Sequence, residues 1–119
     1  ETPPSSRIHK AAVGTEEWVK WRYFSSAKEA LEDLRSKILD LRIIAVEQDP
    51  RAVPISSFKF QVSNSQPVAV VVGHETEGIS KQALDLADLI VEIPMYGVNK
   101  SLNVVVSTGI VLYRLVELV

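Results

Sequence analysis

The most regular pattern of apolar positions lies in the first third of the chain. Ala27, Ala30, Leu31, Leu34, Ile38 and Leu41 recur at spacings of three and four, which makes one apolar stripe on a helix. Ser26 and Glu29 form a capping box at its start, with hydroxyl and carboxylate satisfying free amides. Glu32, Asp33, Arg35 and Lys37 fall off the stripe and read as a solvated face. The period then changes. Residues 42–48, RIIAVEQ, predict a short strand ended by Asp49-Pro50. Residues 68–72, VAVVV, do not alternate, as expected of a strand buried on both faces. A short helix over about 80–87 and a strand over 88–94, DLIVEIP, come next. Helices alternating with buried strands give an α/β domain, a mainly parallel sheet flanked by helices.

The C-terminal segment, SLNVVVSTGIVLYRLVELV, is a conflict between propensity and periodicity. Its valines favour a strand. Its polar residues Asn103, Ser107, Arg114 and Glu117 instead follow spacings of four, seven and three, within one arc of a helix. The rest of the circumference is almost wholly apolar, more than one sheet face covers. The segment therefore reads as a deeply buried helix, with Leu112, Leu115, Val116 and Leu118 as candidates for burial between two subunits. At the other end, the proline- and serine-rich ETPPSSR reads as a loop. Trp18, Trp21, Tyr23 and Phe24 follow it, and packing on the core is the favoured role for these rings over a base-stacking platform.

Composition narrows the chemistry. The 119 residues suit one domain, and the net charge of −2 leaves only a local patch for any contact with nucleic acid. Arg7, Lys10, Lys20 and Arg22 exceed the neighbouring Glu1, Glu16 and Glu17 by one, too few to mark such a patch. The absence of cysteine removes thiolate nucleophiles, cysteine-ligated zinc and disulfides together. No apolar run is long enough to span a bilayer and nothing resembles a signal peptide, so a cytoplasmic location is expected, an organelle being the alternative.

In open α/β sheets, ligands sit beyond the carboxyl ends of the strands. Two loops fall there. GHETEG, residues 73–78, follows the strand at 68–72, and PMYGVNKSLN, residues 94–103, follows the strand at 88–94. Gly-x-Glu-x-x-Gly is compatible with a structural turn or with a small ligand. A carboxylate at Glu75 repels phosphate, so a ligand there is one without phosphates, a cation being one such ligand. Ser101 is placed to cap the last helix, and Asn103 carries an amide that needs a partner.

VVVGHETEGIS and VEIPMYGVNKSLNVVVSTGIVLY, with their spacing, resemble the second and third motifs of the SpoU-type (TrmH-like) RNA 2′-O-ribose methyltransferases of the SPOUT superfamily. The likeness spans about residues 68–113, and HKAAVGTEEWV resembles the upstream connecting region more loosely. The resemblance implies a C-terminal trefoil knot and S-adenosylmethionine as cofactor, with transfer of a methyl group to a ribose 2′-hydroxyl of tRNA or rRNA and no metal. The wide apolar surface of the C-terminal helix, separately, leads to the expectation of a homodimer through that helix. By position, Gly73, Ile93 and Leu102 would line the cofactor pocket, with Met95 and Gly78 nearby, and Glu75, Ser101 and Asn103 would serve catalysis and site organisation. His74 stands where the family often has Asn or a small residue, and a solvated loop histidine is expected. The family's first motif, which carries an essential arginine, is not found in residues 1–119, so these would be the C-terminal two-thirds of a catalytic domain, inactive alone. A non-catalytic knotted RNA-binding or dimerisation module, or a small-molecule binder on the same scaffold, are the competing readings.

Overall fold

The computed structural model describes residues 2–57, 66–98 and 103–117. Strand β1, Arg42–Val46, lies inside the sheet, and its Ile43, Ile44 and Ala45 are fully buried. It pairs in parallel with β3, Val68–Val71, on one side and with β4, Leu89–Glu92, on the other. Strand β2, Val53–Pro54, adds to the far side of β4, giving the order β2-β4-β1-β3. The α-helices are α1, Ser6–Ala12, α2, Ala27–Lys37, α3, Lys81–Leu86, and α4, Val104–Glu117, with single 3-10 turns at Thr15–Glu17 and Ile55–Ser57. The expected α/β class with a parallel sheet is what the chain adopts.

Alternation along β1 divides the core in two. Ile43 and Ala45 meet Leu31 of α2, Ala83 and Leu84 of α3 and Ile90 of β4. Ile44 points to the opposite face, where Val91 of β4 and Val111 and Leu115 of α4 close over it. The sheet is thus covered by α2 and α3 on one face and by α4 on the other, as a parallel sheet requires. Asp88 fixes the start of both inner strands. Its carboxylate accepts the Ile43 amide at 2.7 Å and the Arg35 guanidinium at 2.9 Å, while its own amide donates to the Ile43 carbonyl.

Several expectations change. VAVVV supplies an edge strand, half-buried over Val68–Val71 with Val72 exposed, and the strand with a fully buried centre is β1. ETPPSSR is not all loop: Ser5 caps α1 by accepting the Ile8 amide, so Ser6 and Arg7 are helical. Ser26 does cap α2 by accepting the Glu29 amide at 3.2 Å, but the Glu29 carboxylate takes the Ser25 hydroxyl, so only half of the capping box forms. The aromatic rings do not pack on the core. Trp18 is 82% exposed and Tyr23 74%, Trp21 is exposed as well, and Phe24 is half-buried beneath the Arg22 guanidinium. The face that Ile43 and Ala45 present is packed instead by Leu31, Ala83 and Leu84 of α2 and α3.

The C-terminal segment is a helix, as its polar spacing indicates, but it is not deeply buried. Val111 and Leu115 face the sheet, whereas Val105, Val106, Ile110, Leu112 and Tyr113 are exposed. Leu115, expected between subunits, belongs instead to the core of its own chain, packed with Ile44, Val91 and Val111. Leu118 lies outside the described residues. No helix among the described residues is long and apolar enough to cross a membrane.

Because Ile44 joins β1 to α4 through the second cluster, Ile44→Ala should cost about 2–5 kcal/mol of stability, the range for truncating a buried isoleucine. Chemical denaturation of the two proteins measures the difference.

Candidate functional site

All four strands run the same way, so the loops leaving their carboxyl ends gather at one edge of the sheet. A cavity of about 500 Å³ opens there, within the ordinary range for a small-molecule site. It is lined by the residues following β1, by the whole 72–79 loop after β3, by Glu92 and Ile93 at the end of β4, and by Val104 and Ser107 of α4.

The 72–79 loop turns back on itself. The Gly78 amide donates to the His74 carbonyl at 2.9 Å, forming an antiparallel bridge between the two residues. Gly73 faces this return so closely that a Cβ built on it would lie 2.5 Å from the Ile79 nitrogen. Gly78 has φ +70°, a conformation that side chains rarely adopt, and its α-carbon abuts the Glu47 carboxylate. Both glycines of Gly-x-Glu-x-x-Gly are therefore required by the turn itself. His74 is exposed, as expected, yet it is not idle: its Nδ1 accepts the Thr76 amide at 3.2 Å and the Glu77 amide at 3.4 Å. That arrangement places the proton of the neutral ring on Nε2.

The turn presents Glu75 to the second loop. Asn103 Nδ2 donates to Glu75 Oε1 at 3.1 Å, and Asn103 Oδ1 accepts the Val105 amide at 2.9 Å, tying the start of α4 to the loop after β3. Of the residues singled out by the sequence, Gly73, Glu75, Gly78 and Ile93 line the cavity and Asn103 bonds to one of them. Met95 is half-buried just beyond Ile93 and does not line it. Ser101 and Leu102 lie outside the described residues.

The cavity is acidic. Glu47, Asp49, Glu75, Glu77 and Glu92 line it, and no Lys or Arg is among its described lining residues. Asp49 is held ionised because a hydrogen bond from the Arg51 guanidinium keeps its carboxyl below the usual carboxylate range. Arg51 bridges onward to Asp85 of α3 at 3.0 Å, so the Asp49 charge is largely answered within the protein. Glu47 and Asp49 were not among the sequence candidates. The rule that sites form at strand carboxyl ends applies equally to β1 and points to the Glu47-Gln48-Asp49 stretch.

The SpoU rRNA Methylase family model matches residues 1–113. A tRNA (guanosine(18)-2′-O)-methyltransferase of Thermus thermophilus is 34% identical over 107 residues, covering 90% of this chain and 52% of that protein. The enzyme of the same name from Borreliella burgdorferi is 31% identical over 103 residues, covering 87% of this chain and 44% of its own. The chain thus spans about half the length of these curated relatives. Among solved structures, the A. aeolicus TrmH/SpoU tRNA modifying enzyme superposes with a TM-score of 0.79 at 28% identity, over 99% of this chain and 57% of that one. An AdoMet-bound rRNA methyltransferase from Sinorhizobium meliloti shares the fold, with a TM-score of 0.80 at 22% identity over 96% of this chain and 41% of that one. With the match running through both loops and nearly the whole chain, the protein belongs to the SpoU rRNA Methylase family.

Proposed function

We propose that the protein is an S-adenosylmethionine-dependent RNA methyltransferase acting on a ribose 2′-hydroxyl of tRNA or rRNA. One observation carries the reading: the two motif loops meet through the Asn103–Glu75 hydrogen bond at the rim of a carboxylate-lined cavity. The names of the relatives, tRNA 2′-O-methyltransferases, supply the substrate class. The cofactor fits the residues present. It carries a positive sulfonium and no phosphate, and an acidic cavity without Lys or Arg among its described lining favours such a ligand over a nucleotide phosphate.

When bound, S-adenosylmethionine supplies an activated methyl group on sulfur. The chain's own residues do the rest by holding and orienting. The backbones of Gly73, Gly78 and Ile93, which line the cavity, would form the wall against the cofactor. Glu75, Ser101 and Asn103 organise the place where a ribose hydroxyl is aligned, since a poor nucleophile reacts only when held in line. Asn103 fixes one oxygen of Glu75, which leaves the other oxygen to face the cavity or the substrate. Residues 1–119 would form most of the catalytic domain, with a C-terminal trefoil knot and the cytoplasm as its compartment.

The full-length enzyme should bind S-adenosylmethionine in titration calorimetry and place the label of a methyl-labelled cofactor on ribose. Nucleoside mass spectrometry of treated bulk tRNA and rRNA locates it, and a methylated base overturns the assignment. Asn103→Ala should lower the methyl-transfer rate roughly ten- to a hundredfold, the effect of losing one hydrogen bond to a charged group. Unchanged activity would remove Asn103 from the site.

We also infer a homodimer that buries the outer face of α4. Val105 and Tyr113, each 74% exposed, stand on that face with Val106, Ile110 and Leu112, and a contiguous apolar surface of this kind is unfavourable in water. Leu112→Glu would force an unpaired carboxylate into the contact and should raise the dimer dissociation constant at least about a hundredfold. Sedimentation of the full-length enzyme and the variant tests this, and a monomeric parent overturns it.

A further inference from the structure

Glu47 is the first residue past β1, and it bonds both to β4 and to the loop after β3. Its own amide donates to the carbonyl of Val91 in β4 at 3.0 Å. Its carboxylate Oε2 accepts the amide of Ile79 at 2.9 Å, at the exit of the loop after β3. Its Oε1 accepts the amide of Gln48 at 3.1 Å. Both oxygens are thus occupied by backbone donors, one adjacent and one 32 residues away.

The peptide held by this carboxylate is the one the loop is built around. Gly78–Ile79 is the peptide that Gly73 approaches, and Gly78 sits so near Glu47 that a Cβ on it would lie 2.5 Å from Oε2. Gly73, Gly78 and Glu47 therefore form one clasp. Between the two glycines, the loop has only Glu75 and its neighbours left to present, and Glu75 is the group that Asn103 bonds. A shift of the Gly78–Ile79 peptide moves Glu75 relative to α4.

We propose that Glu47 is a positioning residue for the cofactor pocket, holding the 73–79 loop so that Glu75 stays within reach of Asn103. The inference rests on the methyltransferase reading above. A carboxylate is suited to the task because it only accepts, and both of its neighbours are N–H donors. Glutamine at this position keeps one acceptor for Ile79 but turns an NH2 group toward the Gln48 amide. Leucine fills similar space and leaves the part-buried Ile79 amide without its partner.

The test uses the full-length enzyme with Glu47→Gln and Glu47→Leu. Cofactor affinity is read by calorimetry, RNA affinity by a binding titration, and amide exchange across 73–79 by mass spectrometry without ligand. Glu47→Leu should speed exchange in the loop, raise the dissociation constant for S-adenosylmethionine about tenfold and leave RNA affinity unchanged. Glu47→Gln should fall between wild type and leucine in both exchange and cofactor affinity. Wild-type cofactor affinity in Glu47→Leu overturns the proposal. So does a Glu47→Gln protein as weak as leucine with wild-type exchange, which would mean that the carboxylate's charge acts on the cofactor directly. If the wild-type enzyme binds no S-adenosylmethionine, the functional reading fails, and the exchange rates still decide separately whether the clasp exists.

Discussion

The structure depends on covering both faces of β1. Three successive residues of this strand are fully buried, and because side chains alternate, they cannot be served by one layer. Ile43 and Ala45 require α2 and α3, and Ile44 requires α4. Burial of an isoleucine of this kind contributes roughly 1.5–3 kcal/mol, so the inner strand recruits helices from both ends of the sequence. The α4 packing that closes the second core is also what brings Asn103, just before that helix, against the loop after β3. Core and candidate site are two ends of the same helix placement.

Parallel pairing then concentrates the chemistry. Had the strands alternated in direction, their exits would be shared between two edges. Here the exits of β1, β3 and β4 open on one cavity. The exits are also tied to one another. Glu47 joins the first two and, through its amide, the third, while Arg51 links the loop after β1 to α3. A loop with exposed residues 74–77 is thereby fixed at its base, where Gly73 and Gly78 make backbone approach possible.

What could be read from the sequence follows from the range of each interaction. The α2 stripe was legible because helical spacing is local, and so was α4, whose polar arc outweighed the strand propensity of its valines. Strand existence was legible, but strand order was not. VAVVV looks more central than RIIAV, flanked by Arg42 and Glu47, yet β3 is at the edge, because an apolar run does not encode which neighbours it pairs with. Strand β2 has two residues and one is proline, too little to leave a period. The two loop glycines, Glu75 and Asn103 stood out by motif. Glu47 did not, since its partner amide lies 32 residues on and nothing local marks it. The exposure of Trp18 and Tyr23 was hidden for a similar reason: the core is packed by residues such as Leu31, Ala83 and Leu84 from other segments, which nothing near the rings marks.

Charge sets a further constraint on the proposed reaction. The cavity's carboxylates favour a cationic cofactor, and the same field opposes an approaching phosphodiester backbone. With a net charge of −2, this chain does not offset that repulsion by its overall balance. In the proposed reaction the two ligands would therefore be held by different regions: the cofactor in the acidic cavity, and RNA phosphates by basic surface outside it. Only the ribose hydroxyl, which is neutral, needs to cross between them. An acidic pocket is consistent with RNA chemistry on these terms, because the group that must enter it carries no phosphate charge.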